Sequence, residues 1–348
     1  MVYSAFFFSE LLLVFKYFIP ILLFHISYYK CSSDIVFKGF SLSVKVTLVA
    51  TFFVFINIIM FRPSVVELMW GYSHQFRILG FTGLSLGLDG FDLVGNTSVA
   101  IGVLIAFQII YCVVSLYSKF DIKIFFVTAI LILSEMLVFS RSGIVVLLVA
   151  LLAGVSLNIY KIKTLKYILF ISTFLVFLVF FAFDINQVLN FGVIGKLNSY
   201  SDFSDASSNI RIGYWLKSIN LLSTSVVTFI FGNGYGEILS DHLFDMANAE
   251  SLFFTALYQT GILGFTFLVL FFLFLFNRMN YLKSIFTKNT FLHKITVTFT
   301  YFLPGYFIAN VVGGNLLQTD FIMLPMFIIL AVLESCYRSN NYEHIVKT

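Results

Sequence analysis

The run Ser251-Leu-Phe-Phe-Thr-Ala-Leu-Tyr-Gln-Thr-Gly-Ile-Leu-Gly-Phe-Thr-Phe-Leu-Val-Leu-Phe-Phe-Leu-Phe-Leu275 contains 25 consecutive uncharged residues. A helix needs about 20 mainly apolar residues to cross the hydrocarbon core of a bilayer. The whole chain of 348 residues is 60% hydrophobic and 11% charged, with 46 Phe. Soluble domains carry about 25% charged residues, so this chain has more apolar surface than a water-soluble core can hide. The sequence therefore predicts a membrane protein.

Nine apolar stretches are candidates for membrane spans. They are residues 4–29, 44–61, 97–118, 124–139, 143–160, 167–183, 251–276, 295–312 and 321–337. Their continuous apolar character favours helices over a barrel, whose strands alternate. The first contains Glu10, Lys16 and Pro20 and is either a broken helix or two short ones. We predict one all-α polytopic domain over residues 1–348, with about nine transmembrane helices, or ten or more if stretches divide.

The distribution of basic residues predicts the orientation. Segments 30–45, 119–123, 161–166, 277–294 and the C-terminal tail contain 14 Lys and Arg, whereas 62–96, 140–142, 184–250 and 313–320 contain six. Because basic residues concentrate on the cytoplasmic side, the C-terminus is predicted to be cytoplasmic. The N-terminus and the long loop 184–250 are then predicted outside. The scattered basic residues do not indicate nucleic-acid binding, and none of the three cysteines lies in an outer loop.

Two arginines are exceptions on the outer side. Arg141 lies in the short turn Ser140-Arg141-Ser142-Gly143, where exposed N–H groups at a helix N-terminus favour an anion. The alternative is an interfacial anchor. Arg211 lies in Asn209-Ile-Arg-Ile-Gly-Tyr-Trp-Leu-Lys217, whose apolar residues recur at helical spacing. This pattern predicts a helix lying in the interface. The guanidinium matches phosphate geometry, so Arg211 is a stronger phosphate candidate than Lys217.

Glu250 directly precedes the long apolar run. One interpretation is an acid that stabilises the helix dipole. The functional interpretation is a general base, because partial burial at a helix entrance raises a carboxyl pKa toward the working range.

Other residues of the outer loop are weaker candidates. Gly232-Asn-Gly234-Tyr235-Gly236 predicts a turn where backbone approaches a ligand closely. Asp241, His242 and Asp245 are a possible set of cation ligands, but acidic loop residues are usually only solvated, and we predict no metal. We predict that Lys217, Tyr235 and His242 help to bind substrate.

Taken in order, these residues resemble a known superfamily. Ser-Arg-Ser-Gly before an apolar span, the Arg…Trp element, Phe-Gly-Asn-Gly-Tyr-Gly, and Ala-Glu-Ser-Leu-Phe-Phe-Thr-Ala-Leu-Tyr-Gln-Thr-Gly-Ile-Leu-Gly cover residues 134–276. This ordered set is similar to the O-antigen polymerase (Wzy) and O-antigen ligase superfamily. Ligases of that superfamily carry a histidine eleven residues before the first glycine of the Gly-Ile-x-Gly element, where this chain has Glu250. The resemblance therefore favours the polymerase branch.

The resemblance implies a function at the outer face of the bacterial inner membrane. A polymerase transfers a growing glycan from undecaprenyl diphosphate onto a lipid-linked repeat unit, without a metal or another cofactor. Glu250 is then the expected base, and Arg141 and Arg211 stabilise the departing diphosphate. The expected partners are the lipid-linked donor and acceptor, the bilayer, and a chain-length regulator and a flippase.

Three other functions compete with this one. A ligase-type glycosyltransferase uses the same lipid-linked donor. A transporter or flippase usually carries ionisable residues in the middle of its spans, and here these are only Glu10, Lys16, Glu135 and Glu334. A structural scaffold does not require basic residues on the outer side.

Overall fold

A computed structural model describes residues 21–61, 97–138, 141–156, 206–233, 251–312 and 320–346. These residues are helical almost throughout, and no strand occurs among them. Within these described ranges, a helical segment over residues 21–30 is followed by nine helices. They are α1 (Ser33–Phe61), α2 (Thr97–Ser118), α3 (Ile122–Val138), α4 (Arg141–Ser156), α5 (Ala206–Leu222), α6 (Val226–Phe231), α7 (Leu252–Ile285), α8 (Phe291–Val312) and α9 (Asp320–Val346).

Three of the described helices are long and apolar enough to cross a membrane. The qualifying segments are Ser33–Phe52 in α1, Ile101–Ser118 in α2 and Leu252–Ile285 in α7, and a shorter apolar helix covers Ser142–Gly154 in α4. In α7, Phe267 and Phe274 are each 65% exposed, as expected for side chains that face lipid. These helices support the predicted membrane protein but do not establish the predicted number of spans. The candidate span 167–183 lies outside the described residues.

Helix α8 lies in the hydrophobic core. Phe299 and Phe302 contact the ring of Phe107 in α2, with centroid distances of 4.9 and 5.0 Å. Gly305 of α8 lies directly on the backbone of Val146 in α4, and a Cβ at Gly305 would lie 2.6 Å from the Val146 carbonyl oxygen. The absence of a side chain at Gly305 therefore allows α8 and α4 to pack backbone against backbone.

The threonine hydroxyl groups inside α8 are satisfied by its own backbone. Thr296, Thr298 and Thr300 are fully buried. Each donates to the carbonyl oxygen four residues earlier, at 2.7, 2.8 and 3.0 Å. Because an unpaired hydroxyl is costly in an apolar environment, these bonds allow polar residues to occupy the core.

The first of the connections predicted to be cytoplasmic is shorter than expected. Residues 30–45 were expected to form a loop, but α1 already begins at Ser33, and only residues 31 and 32 interrupt the helical segments. The Ser32 hydroxyl accepts the Ile35 N–H at 3.4 Å, and Asp34 lies in the first turn, where it favours the helix dipole. The hydropathy pattern did not indicate this start, because Lys38 and Lys45 lower the local average hydropathy. The helix nevertheless contains both lysines.

Two helices lie inside the segment predicted as the long outer loop. Helix α5 confirms the predicted helix around Arg211, whereas α6 was not predicted. Helix α6 begins with a capping box, in which the Ser225 hydroxyl accepts the Thr228 N–H at 3.1 Å and the Ser225 N–H donates to the Thr228 hydroxyl at 3.2 Å. Its apolar residues point away from the protein, with Val226 74% and Phe231 62% exposed. This part of the segment is therefore an apolar helical element.

Helix α7 is broken where α6 packs against it. Gly261 has φ 65° and ψ −167°, which is a backbone conformation outside the helical region. A Cβ at Gly261 would collide with the Ile230 carbonyl, and a Cβ at Gly232 (φ 79°) would collide with the backbone of Gln259 and Thr260. The Asn233 N–H donates to the Tyr258 carbonyl at 2.9 Å. The absence of a side chain at Gly261 therefore lets the end of α6 pack directly against α7.

The opposite end of α7 is held to α9 by charge. Arg278 donates two hydrogen bonds of 2.6 Å to the two carboxylate oxygens of Glu334. The guanidinium also lies 5.2 Å from the ring centroid of Tyr281 and 4.8 Å from that of Tyr337. This end of α7 is the one predicted to be cytoplasmic. We call this group of four residues the Arg278 clamp.

Contacts between distant helix ends agree with the predicted alternation of sides. Ser118 donates to Asn289 at 2.7 Å, and both residues were predicted near the cytoplasmic face. Ser251 donates to the carbonyl of Asn310 at 3.2 Å, and both were predicted near the outer face. The tertiary structure thus groups the helix ends as the charge distribution does.

Candidate functional site

The first turn of α4 carries Arg141. Helix α4 begins at Arg141, within the predicted turn 140–142. Ser142 is buried, with 7% of its surface exposed, and Gly143 is buried as well. The anion contact predicted at this turn stays a prediction, because the Arg141 side chain lies outside the described part.

Helix α5 carries Arg211 and Lys217. Trp215 lies one turn after Arg211, and its ring stacks on Phe254 of α7 with centroids 4.9 Å apart and planes 9° apart. Lys217 is half-buried. The side chain of Arg211 is not among those described. The stacked pair fixes α5 against the first turn of α7.

The buried face of α5 differs from the one suggested by apolar spacing. Ser218 is fully buried, whereas Leu216 and Ile219 are 57% and 44% exposed. Periodicity put Ser218 away from the apolar stripe. In a membrane protein exposed apolar residues face lipid at little cost, so the apolar stripe does not mark the protein-facing side.

The start of α7 is fixed to α8 by a chain of buried hydrogen bonds. Ser251 is the N-cap, with φ −144° and ψ 129°, and its hydroxyl accepts the Phe254 N–H at 3.5 Å. The same hydroxyl donates to the Asn310 carbonyl at 3.2 Å, and the Asn310 amide donates to the Tyr306 carbonyl at 2.8 Å. Ser251 and Asn310 are both fully buried. The residue that follows Glu250 is therefore held firmly.

Helix α8 brings the start of α7 to the same end as the start of α4. Its residues Phe299 and Phe302 contact the middle of α2, whereas Gly305 contacts Val146 in the second turn of α4. Helix α8 thus runs toward the end where α4 begins. Arg141 and Asn310 each lie five residues beyond this contact, about 7.5 Å along their helices. Because the charge distribution predicts that this end, with Arg141, Ser251 and Asn310, faces outward, we call it the outer end.

The remaining candidate residues lie outside the described part of the chain. These are Glu250, Tyr235 and His242, together with the Asp241 and Asp245 pair. The structure therefore brings the elements that carry Arg141 and Ser251 to one end, and it packs the Arg211 helix on the element that follows Glu250. The roles of these side chains stay predictions.

Two features of the outer end were missed by sequence reasoning. Ser251 and Asn310 were not singled out, because a serine at a helix start and an asparagine in a span have many roles. Glu135 in α3 was noted only as an ionisable residue in a span. It is 2% exposed and packs against Gly143. Its position six residues before Arg141, in an otherwise apolar helix, was the available signal.

The comparisons with known proteins add no assignment. The sequence matches no protein-family model, and it shows no significant similarity to a curated protein or a solved structure.

Proposed function

We propose that this chain is a glycosyltransferase that polymerises lipid-linked oligosaccharide repeat units at the outer face of the bacterial inner membrane. The observation that carries the proposal is the convergence of motif-bearing elements. The motif Ser140-Arg141-Ser142-Gly143 ends 106 residues before Ala249-Glu250-Ser251 begins. Even so, the helix that begins within the first motif and the helix that follows the second start at the same end of the bundle. Helix α5, with Arg211, packs on the second of these helices.

The proposed reaction is a direct glycosyl transfer. A hydroxyl group of the acceptor sugar attacks the anomeric carbon of the donor and loses its proton to the Glu250 carboxylate. The bond between that carbon and the diphosphate oxygen breaks, and its electron pair leaves with the undecaprenyl diphosphate. The departing group gains negative charge, so preorganised guanidinium groups lower the barrier. Arg141 and Arg211 are assigned this role, and Lys217, Tyr235 and His242 are assigned to substrate binding.

The requirement for a held geometry supports this assignment. Reaction rates fall steeply when reacting groups are displaced by about 1 Å. Ser251, immediately after the proposed base, is buried and bonded to α8, and α8 is packed backbone to backbone on the helix that begins with Arg141. Ser251 and the start of α4 therefore belong to one packed framework. Such rigidity suits a metal-independent transfer that depends on positioning.

A ligase-type transferase is the second candidate, and the identity of residue 250 separates the two. The superfamily's ligases carry a histidine at the position of Glu250. A flippase remains the third candidate, because Glu135 is an ionisable residue buried in a span.

Deletion of the protein from its bacterium tests the proposal. A polymerase predicts that the surface glycan shrinks to a single repeat unit on its lipid core, seen as loss of the ladder on a gel. Absence of any attached glycan contradicts the proposal and indicates a ligase. Lipid-linked units trapped at the cytoplasmic face contradict it as well and indicate a flippase. Complementation with the wild-type gene is the control.

A further inference from the structure

Glu135 is a buried carboxyl without a described partner. It lies in α3, three residues before the helix ends at Val138, and only 2% of its surface is exposed. Neither carboxyl oxygen has a hydrogen-bond partner among the described residues. The adjacent Ser134 differs, because its hydroxyl is bonded to Thr51 and to the Ile130 carbonyl. Glu135 thus differs from its immediate neighbour, whose hydroxyl group is satisfied.

The carboxyl fills a slot made by two glycines. A Cβ at Gly143 would collide with Oε1 of Glu135 and would lie 2.7 Å from the carbonyl carbon of Gly102. The Glu135 carboxyl therefore occupies the space that a side chain at position 143 would take. Three helices meet here, because Gly102 belongs to α2, Glu135 to α3 and Gly143 to the first turn of α4.

The surroundings indicate that this carboxyl carries its proton. An ionised carboxylate buried without a partner is far more costly than a neutral carboxyl group. No described Lys, Arg or His side chain bonds to it or pairs with it. On α2, the titratable residues nearest in sequence to Gly102 are Tyr111 and Cys112, nine and ten residues away, which is about 14 Å along the helix. A neutral, planar group fits between two glycine backbones where a branched side chain would not.

We propose that Glu135 is a positioning residue for Arg141, acting as a neutral wedge that fixes the first turn of α4 against α2 and α3. This inference rests on the proposed function, in which Arg141 contacts the diphosphate. Arg141 is two residues before Gly143, so a shift of Gly143 moves the backbone that carries the guanidinium. Glu135 itself is shielded from substrate by its burial.

Substitutions at Glu135 distinguish a role that depends on the shape of the side chain from one that depends on its acid group. Glu135→Gln keeps the shape without the acid, so it should retain the wild-type KM. Glu135→Ala empties the slot, and we expect kcat/KM for the lipid-linked donor to fall about 10- to 100-fold, with a rise in KM, since a displacement of about 1 Å can cost about 10²-fold in rate. Glu135→Asp withdraws the carboxyl from Gly143 and should also raise KM, which keeps the test available if the alanine variant does not accumulate.

The measurements use the full-length chain in native membranes and in detergent. The donor is the lipid-linked repeat unit extracted from the strain that lacks the protein, and undecaprenyl diphosphate is the probe for direct binding. Ser134→Ala is the matched control, because Ser134 is equally buried and adjacent but bonds to Thr51 of α1. It should leave KM and probe affinity unchanged. A merely structural role would lower the amount of folded protein without changing KM.

Three results would overturn the inference. A wild-type KM in Glu135→Ala would show that the wedge does not position Arg141. Loss of activity in a folded Glu135→Gln protein would show that the acid itself is needed. A wild-type chain that neither extends glycan nor binds undecaprenyl diphosphate would overturn the proposed function as well, which distinguishes that failure from the first two.

Discussion

The two ends of α7 use polar residues in different ways. At the end predicted to be cytoplasmic, the Arg278 clamp is an ion pair with two hydrogen bonds of 2.6 Å, and its charged side chains remain about a quarter exposed. At the outer end, Ser251 and Asn310 are fully buried and bonded through neutral groups. Glu135, nearby in α3, is buried without a described partner.

This difference indicates two roles for polar residues: those of the clamp hold two helices together, and those of the outer end fix the position of specific groups. A partly exposed ion pair at a membrane surface keeps some hydration, so it joins α7 to α9 without a large desolvation cost. The outer end has no such freedom, because its polar groups lie where water is excluded and each must be placed against a specific neighbour. We therefore expect changes at the outer end to affect activity and changes at the clamp to affect only stability.

The largest effect is expected at Glu250. Glu250→Gln removes the proposed base and should lower the rate of chain growth about 10²- to 10⁴-fold. Polymerisation in membrane vesicles, with protein amount measured by immunoblot, gives this rate. Glu237→Gln is the matched control in the same loop and should be active. Full activity of Glu250→Gln would exclude Glu250 as the base.

Loss of either proposed diphosphate-binding arginine should come next. Arg141→Ala and Arg211→Ala should each lower the rate about 10²- to 10³-fold, by analogy with the loss of one oxyanion-site donor. Replacement by Lys should restore only part of the rate, because an ammonium lacks the guanidinium fork. Lys196→Ala, which removes another basic residue of the outer loop, should have little effect. Equal losses in all variants would argue against specific diphosphate contacts.

A substitution at the break in α7 should lower the stability of the folded protein. Gly261→Ala places a side chain at φ 65° and against the Ile230 carbonyl, so it should destabilise the protein by about 1–3 kcal/mol. Thermal unfolding in detergent measures the change. Gly213→Ala is the matched control, because nothing lies within 4 Å of a Cβ there and Gly213 is helical. It should be neutral or stabilising by about 0.5–1 kcal/mol.

Breaking the Arg278 clamp should have a smaller effect. Arg278→Ala removes the ion pair and the contacts with Tyr281 and Tyr337, and we expect a loss of about 1–2 kcal/mol, reduced by solvent screening. A double-mutant cycle with Glu334→Gln measures the pair itself. The KM for the donor should be unchanged. A large rise in KM would contradict the division between the two ends.

The smallest effect is a pH dependence near the clamp. Burial, reinforced by the positive charges of Lys283, Lys288 and Lys294, lowers the pKa of His293 below its usual value. The folded state therefore resists protonation, so stability is full above the pKa of the unfolded chain and falls as pH drops through it. Unfolding measured between pH 8 and about pH 5 should show a smaller acid loss in His293→Gln. An identical pH profile would contradict this assignment.

The long apolar helices could be predicted closely because their signal is local. Helix α2 occupies Thr97–Ser118, as expected for 97–118, and α3 occupies Ile122–Val138 against 124–139. Boundaries failed where charge interrupts an apolar pattern without ending the helix. Helix α7 continues to Ile285 past Arg278, because Glu334 of another helix pairs with that arginine. The sequence around Arg278 does not indicate that Glu334, 56 residues later, is its partner.

The candidate site could be predicted only as separate motifs. Arg141 and Arg211 stood out because they contradict the charge distribution of their side, and Glu250 stood out because it precedes a long apolar run. The slot filled by Glu135 was not predictable, because it depends on Gly102 and Gly143 approaching from two other helices. The burial of Ser218 was equally unpredictable, because it depends on how α5 packs against the rest of the protein.

By itself, the sequence determined that this protein is helical and apolar enough to lie in a membrane, because hydropathy and charge count are sums over neighbouring residues. It also determined that Arg141 and Arg211 lie on the predicted outer side, which has fewer basic residues than the predicted cytoplasmic side. Only the tertiary structure decided that α4 and α7 begin at the same end, that α7 breaks at Gly261 against α6, and that Glu135 packs on Gly143. Those features depend on contacts between residues far apart in the chain, where the fit of one backbone against another is set by glycines and buried hydrogen bonds.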